Sequence, residues 1–245
     1  MKNLKCILLL IQVFIFQYGF TQKNVDIQEI LSSIQDSTTK AVLANPATFR
    51  YQIVYTQINR DKNGVPHFKN YTLQVDPDKY FNPASMVKMP LAFLALEKIN
   101  NLKIKGLTKS TLMVYDSVSD RQEQIYNNPY SINGTQNIEQ AIKEIFLISE
   151  NNAANRLFEF VTPHTVHEQL AKKGYKDVYI RNRIELGRTA KENRSTQAID
   201  FYNEQGKKIY HQPAAFNKDS LPNYNAFIGD GYINNQDSLI KGPLN

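Results

Sequence analysis

Ser85 and Lys88 stand three residues apart in "NPASMVKMPLAFLALEKIN", residues 82–100. On a helix, residues at that spacing are neighbours on one face. A serine hydroxyl is a weak nucleophile until a base takes its proton, and a lysine of ordinary pKa, about 10.4, is the wrong base at neutral pH. Apolar neighbours such as Met86, Val87, Met89 and Leu91, and the positive end of a helix, both disfavour the ammonium form. The pair therefore suits acyl transfer. Ser85 would attack, Lys88 would accept its proton, and the Ser85 amide at a helix start would furnish half of an oxyanion hole. The spacing alone is weak, because Ser37 and Lys40, and Ser238 and Lys241, share it. Taken alone, Ser85 and Lys88 read equally well as an N-cap serine with a lysine that snorkels to water.

A second segment adds to the first. In "FLISENNAANRLFEFV", residues 146–161, Ser149-Glu150-Asn151 falls at a junction between two helical patterns. A hydroxyl and a carboxamide there can relay a proton and hold an amide carbonyl. Helix capping is the plainer alternative, since Ser and Asn favour helix starts. Ser131 and Asn133, in the loop before Gly134, offer a rival pair. The apolar helices on either side, and the Ala153-Ala154-Asn155 run that follows, favour 149–151.

The elements that must carry these residues follow from pattern. Val25, Ile27, Ile30, Leu31 and Ile34 predict an amphipathic helix over 25–43. Two aromatic and β-branched runs, 49–58 and 67–76, flank Asn63-Gly64 and predict a β-hairpin. Helices are expected over 85–99, 136–147, 151–160 and 165–173, and a second hairpin near 198–213 turning at Gly206. The order implies an α+β fold in which a mostly helical subdomain, about 85–175, is inserted between segments of an antiparallel sheet. The sheet reads as unfinished, so part of the C-terminal region is expected to be missing and Asn245 need not be the natural end.

The chain has 245 residues, 42% hydrophobic and 11% aromatic, an ordinary globular profile. Lys2 and Lys5 precede the apolar run 7–16, and a polar stretch follows, which predicts a signal peptide over 1–22 and a single mature domain over 23–245. The expected location is the periplasm or cell envelope, with a retained N-terminal anchor as the alternative. The only cysteine, Cys6, falls in that leader, so the mature chain has neither disulfide nor thiol nucleophile. Without Lys2 and Lys5 the net charge falls from +6 to +4, and the basic residues are scattered. Nucleic acid is therefore not an expected partner. His164 and His167 are three apart on a predicted helix, but no third ligand is marked beside them, and no metal or other cofactor is expected.

"PASMVKMPLAF" together with "ISENNAANRL" resembles the serine β-lactamase and penicillin-binding-protein superfamily, closest to the class A branch, which uses Ser-x-x-Lys, Ser-Asp-Asn and Lys-Thr-Gly motifs. The resemblance runs over about residues 25–190. It implies Ser85 as acyl-forming nucleophile, Lys88 as its proton acceptor or electrostatic partner, Ser149 as a proton relay, and Asn151 as a contact to the substrate amide. It further implies Glu185, in "RNRIELGR", as the residue that activates a deacylating water. A solvated glutamate paired with a neighbouring arginine is the alternative for Glu185. Three departures stand out. Glu150 replaces the usual aspartate, Leu186 and Thr189 stand where the family's leucine and asparagine do not match, and no Lys-Thr-Gly follows, Lys241-Gly-Pro lacking the hydroxyl residue. The implied protein is a monomeric, exported β-lactamase that opens a β-lactam through an acyl-enzyme on Ser85. The alternatives are a penicillin-binding D-Ala-D-Ala peptidase acting on cell-wall peptides, and a non-catalytic envelope-binding protein.

Overall fold

The computed structural model describes residues 27–77, 81, 83–116, 127–132 and 134–218, with the backbone of two short strands at 232–233 and 239–240. The predicted leader with Cys6, together with Asn133, Ser238 and Lys241, lies outside the described residues. Two compact units meet in the sequence between Tyr80 and Phe81.

In the first unit, α1 (Ile27–Ser32), α2 (Ser37–Ala44) and α3 (Pro46–Phe49) replace the single helix expected over 25–43. The break has a local cause. Asp36 accepts a hydrogen bond from the Thr39 amide at 2.6 Å and so caps a new helix. Pro46 then starts a third at a position where its missing N–H costs nothing. The hairpin forms as expected: β1 (Ile53–Arg60) pairs antiparallel with β2 (Pro66–Leu73), from Ile53 opposite Leu73 to Arg60 opposite Pro66. Asp61 Oδ1 accepts from the Asn63 and Val65 amides at 2.8 and 2.9 Å, and Gly64 takes the left-handed φ of 79° that the turn needs.

The second unit carries the helices. A 3-10 turn (Ala84–Val87) leads into α4 (Lys88–Leu102), followed by β3 (Leu112–Tyr115), α5 (Ile138–Ile148), α6 (Asn151–Val161), α7 (Pro163–Lys172) and α8 (Ala190–Asn193). The α4 stripe Leu91, Ala92, Ala95 and Ile99 belongs to one core with Ala153, Ala154, Leu157 and Phe158 of α6 and Ile138, Ala141 and Ile145 of α5. That stripe recurs every three or four residues, as a buried helix face must. Strands β5 (Ile199–Tyr202) and β6 (Lys208–Gln212) form the second expected hairpin, with Gly206 in the turn. β3, which the sequence reading did not anticipate, adds a third antiparallel strand. Its buried Met113 and Tyr115 lie opposite the buried Phe201 and Ile199. Two short pairs complete the description: β4 (Ser195–Thr196) with β7 (Ala215–Phe216), and β8 (Tyr232–Ile233) with β9 (Leu239–Ile240). Helices and antiparallel sheets together give the α+β class that the sequence implies.

Candidate active site

Lys88 is the N-terminal member of the buried α4 stripe, three residues before Leu91 and four before Ala92, and its residue is only 2% exposed. Met86, Met89 and Phe93 lie on the opposite, outward stripe and are more than half exposed. The dry surroundings expected from Met86 and Met89 are therefore absent on that side, because helical phase turns both methionines to solvent. What surrounds the ammonium is polar. Lys88 Nζ donates to the Ser149 carbonyl, to Ser149 Oγ at 3.0 Å and to Asn151 Oδ1 at 2.5 Å. An ammonium has three donors and no acceptor, so three oxygens match its capacity.

The hydrogen bond from Ser85 to Lys88 that the spacing predicts is not formed. Ser85 precedes α4, inside the 3-10 turn, where its carbonyl accepts from the Lys88 amide. Its side chain is exposed to solvent, while Nζ is directed to residues 149–151. The two residues share one turn of chain without a hydrogen bond between their side chains.

Ser149 and Asn151 reach Lys88 because neither side chain is used as a helix N-cap. Ser149 ends α5 in the left-handed region, φ 56°, with its amide bonded to the Glu144 and Ile145 carbonyls. Glu150 is the N-cap of α6, its carboxylate accepting from the Asn152 amide at 2.9 Å. The longer acidic side chain thus takes over the capping role and leaves both neighbours for the lysine. Glu144, itself buried, secures the turn from behind. Its carboxylate accepts from Asn128 at 2.6 Å and Gln140 at 2.8 Å, and its carbonyl accepts from the Ser149 and Glu150 amides. Ser131 belongs to the loop that Asn128 and Gln140 suspend from α5. Lys88 meets the 149–151 junction, the pair that the sequence context favours.

Glu185 sits in a loop anchored to α6. Ile184, the residue before it, is bound twice by the buried Asn155, carbonyl and amide both. Arg183 turns inward: Nε donates to Glu159 Oε1 at 2.9 Å, Nη1 to the Glu192 carbonyl at 2.9 Å and Nη2 to the Ser195 carbonyl at 2.5 Å. Its amide donates to Asn193 Oδ1 at 2.8 Å. Arg183 is thus taken up by the buried Glu159 and does not pair with Glu185. Glu185 itself is exposed, at φ 59°. Neither it nor Ser85 is hydrogen-bonded to Lys88, Ser149 or Asn151; those three form the connected cluster.

A family model described as the Beta-lactamase enzyme family matches residues 36–212, well over half of the chain, and spans all five candidate residues. The chain belongs to that family. No curated protein matches it. Membership in the Beta-lactamase enzyme family supports a serine hydrolase, β-lactamase-like function and small-molecule β-lactams as the class of substrate on which the family acts.

Among the described residues of this family member, no group of three or more His, Cys, Asp or Glu side chains is placed to hold a metal ion. His164 and His167 lie on α7, where the His167 Nε2 contacts the Ile180 carbonyl at 3.0 Å. Sequence reasoning missed the anchoring roles of Glu144, Asn155, Glu159 and Arg183. One signal was available. Asn155 and Glu159 are polar residues four apart on α6 whose neighbours Ala154, Leu157 and Phe158 are buried, and polar groups inside such a face require partners.

Proposed function

We propose that the protein is an exported serine β-lactamase of the class A type. Ser85 Oγ attacks the β-lactam carbonyl and its proton passes to the amine of Lys88. The C–N bond of the tetrahedral intermediate then breaks. The leaving nitrogen takes a proton from the Ser149 hydroxyl, which Lys88 resupplies across the 3.0 Å contact, so the proton taken from Ser85 ends on the product nitrogen. Asn151 contacts the substrate amide. A water deprotonated at Glu185 attacks the ester, frees the acid and returns Ser85 to its hydroxyl form. The observation that carries this reading is the convergence of Ser149 and Asn151 on the buried Lys88, one turn of chain from an exposed serine. Export to the periplasm or cell envelope rests on the charged and apolar pattern of residues 1–22.

A second reading has its own support. Glu185 is exposed and outside the Lys88 cluster, which favours slow deacylation and a long-lived adduct, as in a penicillin-binding D-Ala-D-Ala peptidase. Intact mass and antibiotic concentration, followed together after adding a penicillin, separate the two. Turnover supports the β-lactamase, a persistent adduct the peptidase, and Ser85→Ala is expected to abolish either signal. Neither turnover nor adduct in the unmodified chain would leave only a binding protein.

A further inference from the structure

At the end of α6 remote from Lys88, a cavity of about 350 Å³ opens beside the β4–β7 pair, lined by Thr162, Pro163, His164, Arg194, Phe216 and Lys218 among others. α6 has 11 residues, so at about 1.5 Å per residue the cavity lies roughly 16 Å from the Asn151 contact. It is a separate place from the proposed site of chemistry. Three of the lining residues are basic and none is acidic.

The guanidinium of Arg194 is held in a fixed orientation. Its Nε donates to the Asn217 carbonyl at 2.7 Å, and its central carbon lies 4.9 Å from the centre of the Phe216 ring. Among the described residues no acceptor takes its two terminal nitrogens, and neither Arg194 nor Lys218 is in an ion pair. A guanidinium already oriented, with two donors remaining, matches a carboxylate in two-point geometry. Phe216 and Pro163 add apolar wall, and a cavity of this volume takes a small molecule.

We propose that this cavity binds a small carboxylate with a flat apolar body. The carboxylate meets the terminal nitrogens of Arg194 and the ammonium of Lys218, and the body lies against Phe216. The proposal does not depend on the Ser85 chemistry, and its test reads binding rather than turnover.

Benzoate is the probe, titrated into the full chain and followed by backbone amide chemical shifts, with benzylamine as a control of the same shape and opposite charge. Benzoate is expected to give saturable shifts at Thr162, His164, Arg194 and 216–218, and benzylamine none. Arg194→Gln is expected to weaken benzoate by about tenfold, the scale of one charge-assisted contact. Arg194 also holds Asn217, so Lys218→Gln is the second variant. Lys218 is exposed, and its replacement is expected to weaken benzoate by a smaller factor without disturbing the fold. Absent or unsaturable shifts, shifts centred on 85–88 and 149–151, equal binding of benzylamine, or undiminished affinity in a folded variant would each overturn the proposal.

Discussion

Asn155 binds both polar atoms of Ile184: its Nδ2 donates to the Ile184 carbonyl at 3.0 Å, and its Oδ1 accepts from the Ile184 amide at 2.7 Å. A carboxamide carries both the donor and the acceptor that these contacts need, whereas a carboxylate has no donor and a methyl group neither. Asn155 is buried on α6, and Ile184 directly precedes Glu185, so the helix that supplies Asn151 also fixes the start of the Glu185 loop. Asn155→Ala is expected to cost about 2–3 kcal/mol of stability through the buried groups it orphans. Release of the acyl group is expected to slow more than its formation. Mass spectrometry after mixing with a penicillin checks this, because the covalent adduct should accumulate in the variant.

Glu159 and Arg183 are both almost fully buried, their side chains 4% and 2% exposed. Removing the carboxylate strands the Arg183 charge in a low-dielectric interior, which costs about 3–5 kcal/mol. Glu159→Gln is therefore expected to lower the thermal midpoint more than any surface ion-pair variant, such as Glu168→Gln, whose Lys172 partner is exposed. Replacing both partners, Glu159→Leu with Arg183→Leu, should recover part of the loss. Thermal or denaturant unfolding of the single and double variants measures the coupling.

Much of this architecture is legible in the amino-acid sequence. The helices of the second unit follow from apolar residues at three- and four-residue spacing, and both hairpins from their Asn-Gly and Gly turns. The errors have physical causes. Asp36 can cap a helix as readily as sit inside one, so the periodicity of 25–43 concealed a break. β3 is four residues long and gains its place only by pairing with β5, a long-range contact without a local signal. At the candidate site, motif spacing points to the residues, but their side-chain directions depend on helical phase and caps. Lys88 is buried because it continues the Leu91–Ala92–Ala95 stripe, and Ser149 and Asn151 are released to meet it because Glu150 does the capping.

Lys98 supplies a pH dependence. Burial pushes its ammonium down to about 8 from an ordinary 10.5. Nζ donates to the Phe160 carbonyl and to Gln212 Oε1 at 2.5 and 2.8 Å, and lies 4.7 Å from the Phe160 ring centre. The folded state releases this proton before the unfolded chain does, so stability tied to Lys98 is fully present above about 10.5 and is lost as pH falls through about 8. Between those limits the unfolded state binds more protons and stability rises with pH, by no more than about 3 kcal/mol. Denaturant unfolding at pH 7.5 and pH 10 checks it. The wild type should gain on Lys98→Met over that interval; a constant difference between the two would contradict the expected coupling.

Lys88→Met tests the centre of the proposed chemistry. The substitution preserves length and apolar volume, but removes the donor shared by the Ser149 carbonyl, Ser149 Oγ and Asn151 Oδ1. Acylation of Ser85 by a penicillin is expected to fall by about 10²–10⁴-fold, the usual contribution of a positioned acid or base. Lys88→Arg separates charge from proton transfer, because a guanidinium keeps the positive charge but does not act as a base at neutral pH. If Lys88 served only to hold the 149–151 junction, the arginine variant would retain acylation wherever it retained the fold. If Lys88 carries the Ser85 proton, both variants lose acylation while circular dichroism and thermal unfolding report an intact protein. Single-turnover acylation rates of the wild type and both variants distinguish these outcomes.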